Sequence, residues 1–330
     1  MNEKLSLGVD LGGTKTEAAI LRRFSLRDPE ASSFDVLARE RIPTDGGAGY
    51  EAVLNGTAEL VRRVLSDAGL ALSDTPVGVG MPGAVTRREG LVKNSNTVCL
   101  NGRPFREDLS QALGRAVLFE NDANCFALAE ALLGAGRAHR DGVVFGVIMG
   151  TGVGGGLVVH GRVWPGPQSL GGEWGHHALG PWRRAEGGST GARGNIALGL
   201  PELGPCYCGK TGCLELYAAG PAVERDYVAR AGVRRSLREI AERRGSDVHA
   251  EAAIDQLLEA FGRGLANVID IVDPSAIVLG GGVSNLECLY DEGVLRVARY
   301  VFNDELLTPI LKHELGDSAG VFGAALLAEP

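Results

Sequence analysis

The sequence predicts an α/β protein with two lobes. Its 330 residues exceed the size at which a single hydrophobic core usually stops growing, so two packed units are expected. Short apolar runs that end in glycine turns are interspersed with amphipathic helical patterns, which favours sheets covered by helices. Hydrophobic residues make up 45% of the chain and charged residues 22%, which is typical of a globular protein with a large core.

The charge balance and the start of the chain disfavour several classes of protein. The 33 basic and 41 acidic residues give a net charge of -8, which repels a phosphate backbone, so we expect no nucleic-acid partner. The sequence contains no long uninterrupted apolar run of the kind that predicts a membrane span. The start, from Met1 to Lys4, runs directly into a strand and lacks the pattern of a secretory signal. We therefore expect a cytoplasmic protein with reduced cysteines.

A first glycine cluster follows an apolar strand that ends at Asp10. The turn contains Gly12, Gly13 and Thr14, and a second apolar strand follows at 18–21, which predicts a hairpin. A Walker A motif would require lysine where Thr14 stands and a helix after it, and neither condition is met. We predict that the turn amides and the Thr14 hydroxyl bind phosphate oxygens and that Asp10 holds Mg²⁺ through water. A plain turn would explain the glycines but not the aspartate.

A second cluster, with Gly150, Thr151 and Gly152, lies between the strand 143–149 and another apolar run. We interpret it as a second phosphate-binding hairpin. Two stretches match GxGxxG, at Gly150, Gly152 and Gly155 and at Gly78, Gly80 and Gly83. Neither match opens a helix, whereas a dinucleotide-binding fold needs a helix N-terminus beneath the pyrophosphate. The pattern therefore disfavours a dehydrogenase.

A third cluster follows the buried strand 276–279 and contains Gly281, Gly282 and Asn285. The backbone could pass close beneath a nucleoside there, with Asn285 available for hydrogen bonds. A close helix crossing is an equally good explanation of the glycines. Both interpretations stay open at this point.

A helix is predicted to begin near Asp122, directly after the strand 117–119. Asp122 could serve only as the N-cap of that helix. Open α/β sheets, however, place their ligands at the carboxyl ends of strands, so we predict Asp122 as a catalytic base and Asn121 as a sugar contact. The helix N-terminus favours the ionised carboxylate, which would keep Asp122 ready to accept a proton at neutral pH.

Three cysteines, Cys206, Cys208 and Cys213, share one short glycine-closed loop. Zinc takes four thiolate or imidazole ligands in a tetrahedron, and two cysteines separated by one residue, such as Cys206 and Cys208, bridge each other only with strained geometry. His176 is the candidate for the fourth ligand. Reduced thiols or a disulfide are the alternatives. Three thiolates and one imidazole leave no open position, so the zinc would be structural rather than a Lewis acid.

Two glutamates flank the predicted zinc site. Glu173 precedes His176, and Glu215 follows Cys213 by two positions. Each carboxylate can accept hydrogen bonds from two neighbouring hydroxyls, which suits a polyol. Together with the glycine hairpins and Asp122, these residues predict phosphoryl transfer from a nucleotide to a sugar hydroxyl.

The motifs, taken in order, resemble those of the ROK sugar kinases over nearly the whole chain. They are DLGGTK, GMPG, NDAN, GTGVGGG, GEWGH, CYCGKTGCLE and IVLGGGVSN. Within that family the chain looks most similar to bacterial fructokinases (mannofructokinases), through VKNSNTVCLNGRPFREDLS, GEWGH and PCYCGKTGCLE. The related N-acetylglucosamine kinases share NDANCFAL and GTGVGGGL.

The resemblance implies an actin-like ATPase (ribonuclease H-like) fold with two lobes around a central cleft. It further implies ATP, Mg²⁺ and structural Zn²⁺, a homodimer, and Asp122 as general base. The implied sugar contacts are Asn101, Asn121, Glu173, His176 and Glu215. The implied ATP and Mg²⁺ site comprises Asp10, Gly12, Gly13, Thr14, Lys15, Gly150, Thr151, Gly152, Gly281, Gly282 and Asn285. The implied zinc ligands are His176, Cys206, Cys208 and Cys213.

The expected reaction is phosphorylation of D-fructose to fructose 6-phosphate. N-acetylglucosamine, glucose and mannose are the alternative sugars, and a sugar-sensing module without kinase activity is the non-enzyme alternative. Family repressors carry a helix-turn-helix segment ahead of the kinase-like region, for which we expect no room before Asp10. A sensor would lack the base or the phosphate turns, and this sequence contains both.

We expect a first lobe formed by residues 1–118 and about 312–330, and a second lobe formed by residues 119–311. Asp122 would then lie near the hinge. The glycine-rich segment Trp182–Pro205, between His176 and the cysteines, is long for the family and could form part of the pocket wall.

Overall fold

The computed structural model describes residues 3–24, 34–86, 88–179 and 203–328. Most of the segment predicted as pocket wall, 182–202, lies outside these ranges. The strands are β1 (Lys4–Leu11), β2 (Lys15–Arg23), β3 (Phe34–Pro43), β4 (Val77–Met81), β5 (Ala84–Val85), β6 (Val92–Lys93), β7 (Leu118–Asn121), β8 (Val143–Met149), β9 (Val153–Val159), β10 (Arg162–Val163), β11 (Ala276–Gly280) and β12 (Ile310–Lys312). The α-helices are α1 (Tyr50–Asp67), α2 (Phe105–Leu113), α3 (Asp122–Leu132), α4 (Glu215–Ala218), α5 (Gly220–Ala231), α6 (Leu237–Glu242), α7 (Val248–Val272), α8 (Glu292–Tyr300) and α9 (Ala319–Leu327).

Two five-stranded sheets share one topology. The first has the order β3-β2-β1-β4-β7 and the second the order β10-β9-β8-β11-β12. In each sheet a hairpin and a further antiparallel strand are followed by two parallel strands. This duplicated pattern, with two mixed α/β lobes, confirms the predicted actin-like fold.

The helices form three layers around the sheets. α1 and α2 pack on the outer face of the first sheet, and α5 and α7 pack with the second sheet in a separate core. α3 and α9 contact each other and lie between the two sheets, in a third apolar cluster. Each sheet is thus covered on both faces, which explains the nearly continuous apolar character of β1, β4, β8 and β11.

Two glycines of the first sheet permit the close approach of α9. A Cβ atom on Gly8 would lie 2.0 Å from the carbonyl oxygen of Val321, and one on Gly78 would lie 1.9 Å from that of Ala324. Gly78 is part of a GxGxxG match. The close contact between β4 and α9 requires glycine at this position, so no bound dinucleotide is needed to explain it.

The register of the first sheet brings three polar segments to one edge. Asp10 of β1 stands opposite Gly80 of β4, and Met81 at the end of β4 stands opposite Asn121 of β7. These strands are parallel, so their carboxyl ends meet at the same edge. The fold thereby places the two aspartates singled out from the sequence, Asp10 and Asp122, next to each other.

The division into lobes stays a proposal. Because β7 pairs with the first sheet, we propose to place the boundary after Asn121, slightly beyond residue 118. α9 contacts β1, β2 and β4, in keeping with its expected return to the first lobe. Within the described ranges, no helix is both long and apolar enough to traverse a bilayer.

Candidate active site

Asp10 lies at the centre of a group of acidic side chains. Burial, followed by the negative charges of Asp122 and Glu17, raises the pKa of Asp10 from 3.8 to about 7, although Arg41 and Lys15 oppose the shift. A carboxylate enclosed with two other acids is destabilised in its charged form and is therefore ready to accept a cation.

Asp122 is the first residue of α3, and Asn121 is the N-cap. The side-chain oxygen of Asn121 accepts a hydrogen bond from the Ala123 amide at 2.9 Å, so the capping alternative considered for Asp122 applies to its neighbour. Asp122 Oδ1 also accepts from Ala123, at 2.8 Å. Burial raises the pKa of Asp122, and the backbone amides only partly offset this. The pKa of Asp122 is therefore raised overall, whereas the helix N-terminus alone would lower it. Enclosure of the carboxylate outweighs the hydrogen bonds from the amides.

The two predicted asparagine contacts are bonded to the backbone. Asn121 Nδ2 donates to the Gly83 carbonyl at 3.0 Å. Asn101 accepts from the Ser95 amide and donates to the Ser95 carbonyl, both at 2.9 Å. These bonds hold the loops after β4 and β6 in place. A sugar contact by either residue would use its remaining donor or lone pair and stays a prediction.

Glu173, Glu215 and Asp122 converge on one region. Glu173 is an exposed residue, but its carboxylate is partly enclosed, and this enclosure is the main cause of its raised pKa. The negative charges of Asp122 and Glu215 raise the pKa further, and His176 lowers it. Glu215 Oε2 accepts a hydrogen bond from the Val153 amide at 2.9 Å. The structure thus brings together carboxylates that are distant in sequence.

The four predicted metal ligands form one cluster. The ligand atoms of His176, Cys206, Cys208 and Cys213 all lie within 4.8 Å of one another. Cys208 Sγ and Cys213 Sγ are 3.6 Å apart, and Cys206 Sγ is 3.7 Å from His176 Nδ1. Tetrahedral zinc with Zn–S bonds of about 2.3 Å has edges of about 3.8 Å between sulfur ligands. The donor set and its spacing therefore fit zinc.

Backbone bonds clamp the two segments that carry these ligands. The Leu179 amide donates to the Gly212 carbonyl at 2.8 Å, and the Leu214 amide donates to the His177 carbonyl at 3.1 Å. The loop itself turns at Gly209 and Gly212, whose φ angles are +84° and +71°. Glycine adopts this left-handed region without strain, as the sequence pattern predicts.

Both glycine hairpins form as predicted. In the first, the Gly12 amide donates to the Lys15 carbonyl at 3.0 Å, and Gly13, Thr14 and Lys15 are exposed at the tip. In the second, the Gly150 amide donates to the Gly152 carbonyl at 2.9 Å, and Thr151 is exposed. Exposed turn residues leave their polar groups accessible to a ligand.

The third glycine cluster packs against the second hairpin. A Cβ atom on Gly281 would lie 2.4 Å from the Met149 carbonyl oxygen, and one on Gly150 would lie 4.0 Å from the Gly282 amide nitrogen. Gly281, Gly282 and Asn285 are exposed. Close backbone packing thus explains Gly281, and this packing also places the exposed residues beside the hairpin.

A cavity of about 410 Å³ opens between the lobes beside Asn121. Its lining includes Gly83 and Glu120 from the first-sheet side and Pro165 and Ser169 from the second lobe. A space of this size can enclose a small organic ligand.

Two residues near the site were missed from the sequence. Asn96 Oδ1 would lie 3.2 Å from a Cβ atom on Gly13, so the loop after β6 contacts the first hairpin. The hydroxyl of Tyr207 lies 2.9 Å from His176 Nε2. Tyr207 could have been noticed because it stands between two predicted ligands, Cys206 and Cys208. Asn96 carries no comparable signal.

Comparisons with known proteins identify the family of this chain. Residues 6–330 match the ROK family. The chain is 33% identical to an N-acetyl-D-glucosamine kinase of Vibrio parahaemolyticus over 321 residues, which cover 97% of this chain and 98% of the relative. A crystal structure of a ROK hexokinase from Thermus thermophilus superposes with a TM-score of 0.80 at 34% identity, covering 98% of this chain and 97% of the other. A ROK family glucokinase from Streptomyces griseus, in complex with glucose and AMPPNP, gives a TM-score of 0.72 at 26% identity, with coverage of 98% and 99%. The chain therefore belongs to the ROK family.

Proposed function

We propose that this protein is a sugar kinase that transfers the terminal phosphoryl group of ATP to a hydroxyl of a hexose. The observation that carries the proposal is the position of Asp122, a carboxylate with a raised pKa that shares one end of the cleft with Asp10 and Glu173. Relatives of similar length are named as kinases of N-acetylglucosamine, of hexoses and of glucose, which supports the same class.

In the proposed mechanism Asp122 accepts the proton of the sugar hydroxyl that attacks the phosphoryl group. Glu173 and Glu215 accept hydrogen bonds from other hydroxyls and hold the attacking oxygen in line. The transition state of phosphoryl transfer is loose, so positioning and neutralisation of charge contribute most of the acceleration. The raised pKa makes Asp122 a stronger base than an ordinary carboxylate.

The nucleotide would be held by the two hairpins and the third glycine cluster. In the turns Gly12 to Thr14 and Gly150 to Gly152, the polar groups of the exposed residues Gly13, Thr14 and Thr151 suit phosphate oxygens, and Lys15 adds a positive charge. The acidic surroundings of Asp10 fit a divalent cation, and we assign Mg²⁺ to this position. When bound, Mg²⁺ neutralises charge on the phosphate oxygens.

We propose structural zinc at His176, Cys206, Cys208 and Cys213. The four-ligand set leaves no open position, so its role is to brace the loop that carries Glu215. Zinc bound in this way couples local folding to the shape of the sugar site.

Among the hexoses, we propose N-acetylglucosamine first. The expectation of D-fructose depends on motifs alone, whereas a relative of about one-third identity and nearly full coverage is named for N-acetylglucosamine. Glucose and mannose are next, and fructose remains a candidate. The homodimer and the cytoplasmic location stay predictions.

A coupled assay of ADP release over a panel of these four hexoses tests the proposal. We expect sugar-dependent ADP release that requires Mg²⁺ and is highest with N-acetylglucosamine. Hexose binding without any ADP release would favour the sugar-sensing alternative instead, and highest turnover with fructose would restore the original expectation.

A further inference from the structure

Tyr207 occupies a position that the proposed mechanism does not explain. It stands between the metal-ligand candidates Cys206 and Cys208, and 82% of the residue is exposed. Its hydroxyl lies 2.9 Å from His176 Nε2, and its ring meets the imidazole edge to face, with centroids 5.1 Å apart and an interplanar angle of 86°. Core packing cannot account for a large aromatic side chain with this exposure.

The hydrogen bond between Tyr207 and His176 has a defined direction when zinc is bound. Nδ1 of His176 is the nitrogen that faces Cys206 Sγ, at 3.7 Å. A neutral imidazole that binds a metal through one nitrogen carries its proton on the other. Nε2–H therefore donates to the phenol oxygen, and Tyr207 keeps its own O–H proton to donate elsewhere.

The phenol of Tyr207 lies beside the segment that carries one of the proposed hexose ligands. Its hydroxyl is 2.9 Å from His176 Nε2, and the His176 amide donates to the carbonyl of Glu173 at 3.4 Å.

We infer that Tyr207 is a specificity residue of the sugar site, whose hydroxyl donates a hydrogen bond to the bound hexose and whose ring covers the mouth of the site. This inference rests on the proposed function. The ring presents an apolar face with a polar tip, which matches the C–H face and hydroxyl rim of a pyranose.

The loop holds Tyr207 in place before the sugar arrives. The Cys206 amide donates to the Lys210 carbonyl at 2.7 Å, and the Gly209 amide donates to the Cys206 carbonyl at 2.9 Å. With a metal fixing the residues on both sides, little conformational freedom is lost when the hexose binds, so the contact contributes efficiently to affinity.

The test compares Tyr207→Phe and Tyr207→Ala with Thr211→Ala, an exposed position on the same loop. For each protein, KM for the hexose, KM for ATP, kcat and zinc content are measured with the panel of four sugars. We expect Tyr207→Phe to raise the hexose KM about three- to tenfold, the effect of one neutral hydrogen bond. Tyr207→Ala should raise it at least as much and change the ranking of the sugars. KM for ATP, zinc content and the Thr211→Ala protein should stay at wild-type values.

Two outcomes would overturn the inference. The hexose KM of both tyrosine variants could stay within about twofold of wild type, which would remove Tyr207 from the sugar site. Alternatively, the KM could rise only with loss of zinc and return on addition of zinc, which would reduce Tyr207 to a support for His176. Wild-type protein that binds hexose without turnover would instead refute the kinase, and hexose affinity measured by calorimetry on the same variants would still decide the role of Tyr207.

Discussion

The carboxylate of Glu215 accepts a hydrogen bond from the backbone amide of Val153 at 2.9 Å. Glu215 begins α4, two residues after Cys213, and Val153 begins the strand that follows the second glycine hairpin. One contact thus joins the cysteine loop to the proposed phosphate-binding turn. A substitution in the hairpin should displace the Glu215 carboxylate, because the carboxylate can hold its position only while the hairpin leaves room for it.

Gly152→Ala tests this relationship. A Cβ atom at residue 152 would lie 2.8 Å from Glu215 Oε2, so the flexible carboxylate must move while the backbone can stay. We expect a hexose KM about tenfold higher and a free energy of unfolding within about 1 kcal/mol of wild type, measured by steady-state kinetics and urea unfolding. Gly154→Ala is the matched control, because its Cβ would make only an ordinary 3.6 Å contact with Ala123. Equal kinetics for the two variants would contradict the proposed link.

Asp122→Asn should lower kcat about 10²- to 10⁴-fold, because the hydroxyl loses its proton acceptor. Sugar affinity measured by calorimetry should change little, and Asp67→Asn, an exposed position at the end of α1, should behave as wild type.

In the wild type, burial raises the pKa of Asp122, so kcat/KM should begin to fall, as the pH is lowered, above the ordinary carboxylate range. Undiminished kcat in Asp122→Asn would exclude it as the base.

Cys208→Ser should release the metal and raise the hexose KM together, because zinc binding and local folding are coupled. The wild type should contain about one zinc per chain, measured by atomic emission. Cys288→Ala is the control, because Cys288 is not part of the cluster formed by the four predicted zinc ligands. Full activity in a metal-free Cys208→Ser protein would separate the cluster from the sugar site.

Asp10→Asn should stabilise the ligand-free protein at high pH while it impairs catalysis. The folded-state pKa of about 7 exceeds the reference value of 3.8, so the contribution of Asp10 to stability is fully present below about pH 4 and is lost as the pH rises through 7. At pH 8 and without Mg²⁺, the variant should gain on the order of 2 to 4 kcal/mol in free energy of unfolding, because the enclosed Asp10 carboxylate is charged in the wild type at this pH and the amide is not.

Urea unfolding at pH 5 and pH 8 checks this expectation, with Asp67→Asn as the control. The wild type should lose stability between the two conditions more than Asp10→Asn does. The same pH dependence in both proteins would show that Asp10 is not the group responsible, and unchanged activity in the variant would remove it from the Mg²⁺ site.

The sequence by itself determined the local parts of this protein. Both hairpins, the start of α3 and the cysteine loop follow from residues a few positions apart, where glycine conformation and apolar periodicity act directly. The family resemblance extended this to the fold. Register between distant strands could not be derived in the same way, since pairing depends on which faces are buried.

Only the tertiary structure decided how the functional groups meet. It brought Asp10 beside Asp122, joined Glu215 to Val153, and set Tyr207 against His176. It also reversed the expected direction for Asp122, because enclosure of the carboxylate outweighs the helix amides. Burial and long-range electrostatics depend on the packed arrangement of both lobes, and no pattern within a few residues contains that information.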